Sequence, residues 1–330
     1  MARSPSDALP GPSAREPLRV LALSGGGFLG LYTAIVLEGL EARAGRPLAR
    51  RFGLLAGTSI GALLATALAF EVPMRTVVEL ITNHGPRVFS RRPLPQGAVS
   101  RLLDLSRSVT GPKYGGRELR EALRGVLGER RLGDARHALV IPAVDVLACR
   151  TKVFKTPHGR TPESDAELPA VDVVMAACAA PAYFPSVTVG ARLYADGGLF
   201  AVAPDQIALH EAEHFLGIPP ERVSMLSVGT ATAGYRPREG VEDPQAGAVG
   251  WLAEGRLILT LLSVQQQHVQ AMMEDRLGSR YLRLDADWPA DEGLGIDVAT
   301  AQAAEVLREL ARRTLDSLDD ASLSPFVPPS

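Results

Sequence analysis

Gly57-Thr58-Ser59-Ile60-Gly61 sets a serine between two glycines in a G-x-S-x-G pattern. The chemistry such a string can carry is nucleophilic attack. On a sharp strand-to-helix turn the hydroxyl stands clear of the sheet, and small neighbours let the chain bend. A helix starting just after the serine turns its positive end toward a developing anion. The string alone is weak, but an apolar strand before it and an apolar helix after it give it weight. A second run, Ser24-Gly25-Gly26-Gly27-Phe28-Leu29-Gly30, offers two chemistries. Gly25, Gly27 and Gly30 spell G-x-G-x-x-G, yet the next strand ends in "LLAGTS", without the acidic residue a dinucleotide ribose needs. The same loop can present consecutive backbone N–H groups to the oxyanion of an acyl transfer. A third run, His210-Glu211-Ala212-Glu213-His214, has H-E-x-x-H spacing, which suits a zinc hydrolase through His210, Glu211 and His214. It also suits the polar face of an amphipathic helix that buries Ile207, Ala208 and Phe215.

A serine hydroxyl needs a base. Asp196, in "YADGG", places a carboxylate where the chain turns sharply after a short strand, Arg192 to Ala195. Alone it reads as an ordinary turn aspartate; beside a serine elbow and a glycine loop it becomes the candidate partner. The rival is a Ser–Asp–His triad that draws on His210, His214 or His268. The first two fall on a crossover helix, whereas ligand sites in parallel sheets cluster at the C-terminal strand ends. His268, in "SVQQQHVQ", falls within a helical stretch.

Positioning these groups requires alternating strands and helices. "LRVLALS" and "RRFGLLAG" read as short buried strands, each followed by a helix. The first helix is "FLGLYTAIVLEGLEARAG", with Gly45 as terminator; the second, "IGALLATALAF", is apolar all round and therefore buried. Strand, helix, strand, helix within about 50 residues predicts a parallel sheet covered on both faces. "HALVIPAVDVL" and "ERVSMLSVGT" continue the strands, with "PDQIALHEAEHFLG" a helix before the latter. Residues 71–133 read as a helical insertion and candidate lid, in which Leu119, Ala122, Leu123, Val126 and Leu127 form one apolar stripe. Residues 240–320 read as mostly helical. The expectation is one domain over 18–320, with a disordered segment at 1–17 and a flexible tail at 321–330.

The chain has 330 residues, 46% of them hydrophobic, enough for one large core. The formal net charge of -2 argues against DNA or RNA as a partner. Two cysteines, Cys149 and Cys178, sit in small or apolar sequence surroundings, which suggests buried thiols and a reducing, cytoplasmic setting. No apolar run approaches the length needed to cross a bilayer, so membrane contact is expected to be peripheral.

Together "SGGGFLG", "GTSIG" and "ADGG", in this order and spacing, resemble the patatin-like phospholipases. "AACAAPAYFP", "LSVGT" and "KYGGRELREALRGVLG" ahead of "VFKTPHG" add to the likeness, which spans about Leu18 to Thr230. The resemblance implies an α/β three-layer α/β/α sandwich with a mainly parallel sheet. It also implies a Ser–Asp dyad of Ser59 and Asp196, and an oxyanion loop at Gly25, Gly26 and Gly27. The activity implied is hydrolysis of phospholipid acyl esters without metal or cofactor. The family pattern carries Arg or Lys where this chain has Leu29, which weakens the expected loop; a non-catalytic lipid-binding protein on the same scaffold is the alternative. "ALSGGGFLGLYTA", "GTSIGALLA" and "VQQQHV" further resemble bacterial antiphage effectors of this family. Those are switched on by a cyclic dinucleotide and attack the inner face of the cell membrane, and the likeness leaves room for a homo-oligomer.

Overall fold

The computed structural model describes residues 17–89, 111–160, 165–236, 247, 251, 255–289 and 293–327. β1 (Leu18–Leu23) and β2 (Leu54–Gly57) are short and almost wholly buried, as apolar runs stopped by glycine should be. β1 leads into α1 (Gly30–Ala44), which ends where Gly45 turns left-handed and caps the carbonyls of Glu41 and Ala42. β2 leads into α2 (Ile60–Ala69), buried on every face. α3 (Met74–Val88) and α4 (Arg117–Leu127) form the described part of the 71–133 region. α4 buries Ala122, Leu123 and Leu127, with Leu119 and Val126 partly buried beside them. Residues 90–110 of that region lie outside the described residues, as do residues 1–16 of the N-terminal segment.

The remaining elements are β3 (Leu139–Asp145), β4 (Arg150–Lys155), α5 (Ala170–Ala177), β5 (Val187–Val189), β6 (Arg192–Asp196), α6 (Asp205–His214), β7 (Val223–Val228), α7 (Arg256–Leu277), β8 (Tyr281–Leu284), α8 (Ala301–Ser317) and α9 (Asp320–Leu323). Eight strands form one sheet in the order β5-β6-β3-β2-β1-β7-β8, with β4 also paired to β3. β3, β2, β1, β7 and β8 run parallel to one another; β4 and β6 pair antiparallel with β3, and β5 pairs antiparallel with β6. Period-two alternation divides the core between the two faces. Leu21 and Leu23 meet α1, α2 and α5, whereas Val20 and Ala22 meet α6 and α7. This is the three-layer α/β/α sandwich.

Four details depart from the sequence expectation. β8 breaks the region read as helical after residue 240; "YLRL" is too short to declare its period against the long helices beside it. β4 carries polar side chains along most of an exposed strand, so no apolar alternation announced it. Cys149 is exposed in the β3–β4 turn at φ 49°, while only Cys178 is buried. Residues from 321 do not all trail away: Leu323, Phe326 and Val327, spaced as one helical face, are buried in the core.

Candidate active site

The serine turn is tight because its glycines leave no alternative. A Cβ on Gly57 would overlap the Gly61 backbone, and one on Gly61 would overlap the carbonyls of Leu23 and Ser24. Ser59 itself sits at φ 55°, ψ -123°, a region that costs a side-chain-bearing residue about 1–3 kcal/mol. The turn is held by Gly61 N–H donating to Thr58 O at 2.8 Å and by Thr58 Oγ1 donating to Ala201 O at 2.7 Å.

Strand topology brings Asp196 to the same place. Val140 of β3 pairs with β2 on one side and β4 on the other; further along, Ala143 pairs with β4 and with Asp196 of β6. β6 therefore takes the place of β2 beside β3 just past Gly57, running back toward the serine turn. The Asp196 carboxyl is buried, accepts the Gly198 N–H at 2.7 Å and lines the same pocket as the Ser59 side chain. Burial pushes its pKa up to about 6, against the opposing pull of the Gly198 N–H and the nearby Ser59 hydroxyl. At neutral pH it is an ionised, poorly solvated acceptor facing a hydroxyl.

The glycine loop closes the third side. Gly25 N–H is committed to Val202 O at 2.9 Å, so this residue contributes close approach rather than a free donor. Phe28 N–H binds Ile296 O at 2.7 Å and Leu29 N–H binds Gly26 O at 3.2 Å. The N–H groups of Gly26 and Gly27 have no partner among the described residues. Ile60 adds a third free N–H, since the first turn of a helix leaves its donors open. Gly27 lies at φ 59° with the Ile296 carbonyl against its Cα, so both the conformation and the space require glycine. Leu29 is fully buried in the apolar core, and no cation enters the loop from that position.

Ser59, Asp196, Gly25, Gly26 and Gly27 all line one pocket of about 1080 Å³, its open mouth included. Its walls are apolar: Leu63 from α2, Leu119 from α4, Ile258 and Leu262 from α7, and the rings of Phe89 and Phe184. The latter two meet edge to face with centroids 5.8 Å apart. Tyr183, Phe184 and Cys178 come from the "AACAAPAYFP" stretch, whose chemistry reads only as apolar filling until the sheet sets it over the serine. Such a pocket accepts a long hydrocarbon chain with a polar reacting group at its floor.

The zinc reading fails on orientation. Glu211 is buried on the opposite side of the sheet, where Lys155 Nζ binds it at 2.6 Å and His158 Nε2 at 3.1 Å. His210 and His214 stack on each other at 4.1 Å on the exposed side of α6. The three do not converge, and among the described residues no cluster of His, Cys, Asp or Glu is arranged to hold a metal. The triad rivals are also apart from the serine, since among the described residues no histidine lines the pocket and His268 is exposed on α7.

A three-layer α/β/α sheet with a serine turn and a buried aspartate at the strand ends defines a class of acyl-transfer fold. Residues 21–209 match the Patatin family, described as patatin-like phospholipase. The chain is 36% identical over 312 residues to a "cGAMP-activated phospholipase" of Pseudomonas aeruginosa (strain BWHPSA011 / Pa011), covering 93% of this chain and 91% of that protein. It is 30% identical over 323 residues to a protein of the same description from Vibrio cholerae serotype O1, covering 91% and 90%. It is also 24% identical to "Patatin-like protein 2" of Arabidopsis thaliana, covering 95% and 89%. The chain belongs to the patatin-like phospholipase family.

Proposed function

We propose that this protein is a phospholipid acyl hydrolase that works through Ser59 and Asp196. Asp196 accepts the Ser59 proton as the hydroxyl oxygen attacks an ester carbonyl. The oxyanion forms beside the N–H groups of Gly26 and Gly27, the alcohol or lysolipid leaves with the proton, and an acyl-serine remains. Water, deprotonated by Asp196, then releases the fatty acid and restores the hydroxyl. The observation that carries this reading is that Ser59 shares the floor of an apolar pocket with a buried carboxyl whose pKa is raised to about 6. The acyl chain lies along Leu63, Leu119 and Ile258.

The substrate is presented by a bilayer. Among the described residues no helix is long and apolar enough to cross a membrane. However, Leu199 and Leu261 line the pocket and are exposed, as are Phe200 and Val264, next to Leu199 and one helical turn on from Leu261. A continuous apolar path from surface to serine suits extraction of a lipid from the cytoplasmic leaflet. The names of the Pseudomonas and Vibrio relatives support activation by cyclic GMP–AMP and, with it, a role as an antiphage effector. Residues 18–320 act as a single catalytic domain, since one sheet draws strands from both ends of that range.

The test is labelling by a fluorophosphonate probe together with fatty-acid release from phosphatidylglycerol/phosphatidylethanolamine vesicles, each with and without cyclic GMP–AMP. Labelling at Ser59 and release that rises with the nucleotide support the reading. Absence of labelling in every condition assigns the chain to the non-catalytic alternative.

A further inference from the structure

The helical "VQQQHV" run has no part in the dyad, yet two of its side chains reach the glycine loop by different routes. Gln265 Oε1 accepts the Val202 N–H at 3.2 Å, and the carbonyl of that same Val202 accepts the Gly25 N–H at 2.9 Å. One residue thus transmits the position of α7 to the loop. Gln266 is buried, and its Oε1 accepts from the Arg283 guanidinium and from Thr232 Oγ1 at 3.3 Å. Arg283 in turn donates to Ser24 Oγ at 3.3 Å, to Ser227 Oγ at 2.8 Å and to Asp285 at 2.9 Å.

The segment after β7 completes the second route. Asp285 accepts the N–H groups of Ala231 at 2.8 Å and Thr232 at 3.3 Å. Thr230, next to them, donates to the Gly25 carbonyl at 3.3 Å and lies so close to Gly26 that a methyl there would meet it. Ser24, Gly25 and Gly26 are therefore fixed from both sides by contacts that run back to two neighbouring residues of α7. The arrangement also bears on Leu29: the buried cation at the root of the loop comes from β8, as Arg283, rather than from within the loop. A neutral amide suits position 266, because Asp285 already balances that guanidinium and a second buried carboxylate would carry an uncompensated charge.

We propose that Gln265 and Gln266 are positioning residues for the hydrolysis, holding the Gly26 and Gly27 donors in register with Ser59 through Val202 and Arg283. This rests on the reading that those donors bind the oxyanion. Removing one oxyanion donor outright costs roughly 10²–10³ in rate. Displacing the loop through one intermediary is expected to cost about 10–100-fold in kcat, with KM changed less than about twofold.

The experiment measures kcat and KM on p-nitrophenyl butyrate, in the presence of cyclic GMP–AMP, for the full-length wild type, Gln265→Met, Gln266→Met, Gln265→Glu and Ser59→Ala, with thermal unfolding followed in parallel. The Met variants should lose kcat at nearly constant KM. Gln265→Glu, which keeps the acceptor for Val202, should recover at least half of wild-type kcat. Met variants that lower Tm yet turn over like wild type, or a Gln265→Glu as slow as Gln265→Met, overturn the proposal. Gln265 is only half-buried, so Gln265→Met with its Glu counterpart decides the matter if Gln266→Met does not fold. Ser59→Ala separates the two levels: silence there beside fully active Met variants removes only the positioning role, whereas a Ser59→Ala as active as wild type removes the dyad reading itself.

Discussion

Asp196→Asn should stabilise the protein while disabling it. The wild-type carboxyl has its pKa raised from 3.8 to about 6, chiefly by burial. A carboxyl that holds its proton more tightly when folded contributes stability below its unfolded pKa and loses that contribution as pH rises through its folded pKa. The wild type therefore weakens between about pH 4 and pH 6 and carries the full cost above that. At 1.36 kcal/mol per pKa unit, the interval from 3.8 to about 6 amounts to about 3 kcal/mol at pH 7. Asparagine keeps an acceptor for the Gly198 N–H and removes the charge. Thermal unfolding of both proteins from pH 4 to pH 8 should show Asp196→Asn ahead by several °C at pH 7, the gap closing toward pH 4. The same ionisation governs turnover. Wild-type kcat/KM should fall about tenfold per pH unit below 6, so that at pH 5 about one carboxyl in eleven is in the basic form. A stability difference that is flat with pH, or one that favours the wild type at pH 7, would refute the assignment of a buried, charged base.

Gly27→Ala should lower kcat on soluble esters by about 10²–10³, because a methyl at φ 59° meets the Ile296 carbonyl and turns the donor away; steady-state kinetics with circular dichroism checks this. Leu261→Gln with Val264→Gln should weaken vesicle binding in a flotation assay, while p-nitrophenyl butyrate hydrolysis stays within about twofold of wild type, since the change lies at the exposed mouth. Glu211→Ala strands Lys155 and His158 without their shared carboxylate. It should cost about 3–5 kcal/mol in urea unfolding, with kcat per folded molecule unchanged.

Much of the sheet was legible because the parallel strands at its centre are buried on both faces and read as apolar runs closed by glycine. β1, β2 and β7 announce themselves in this way, β3 is an apolar run that ends at Asp145 instead, and the all-apolar α2 leaves no choice but burial. The strands that escaped are those without such a run. β4 mixes charged and apolar residues without a period and only partly buries them, and β8 is four residues caught between long helices. Ser59, Asp196 and the glycines drew attention only in combination, since the serine string and the turn aspartate are each unspecific alone. Their meeting in one pocket depends on β6 displacing β2 along β3, which no local pattern encodes. Gly25 shows the limit of motif reading: three consecutive glycines promise three donors, and the contact with Val202 takes one of them. The H-E-x-x-H spacing left a zinc alternative open because it records one helix turn and not which side of α6 meets the sheet, where Glu211 pairs with Lys155 and His158.

The central claim is that the hydroxyl at residue 59 forms the acyl intermediate. Mass spectrometry of lipids after incubating vesicles with wild type and Ser59→Ala, both with cyclic GMP–AMP, tests it most directly. Free fatty acid and lysolipid should accumulate with the wild type and stay at the no-enzyme level with Ser59→Ala. Equal accumulation with both proteins would contradict it.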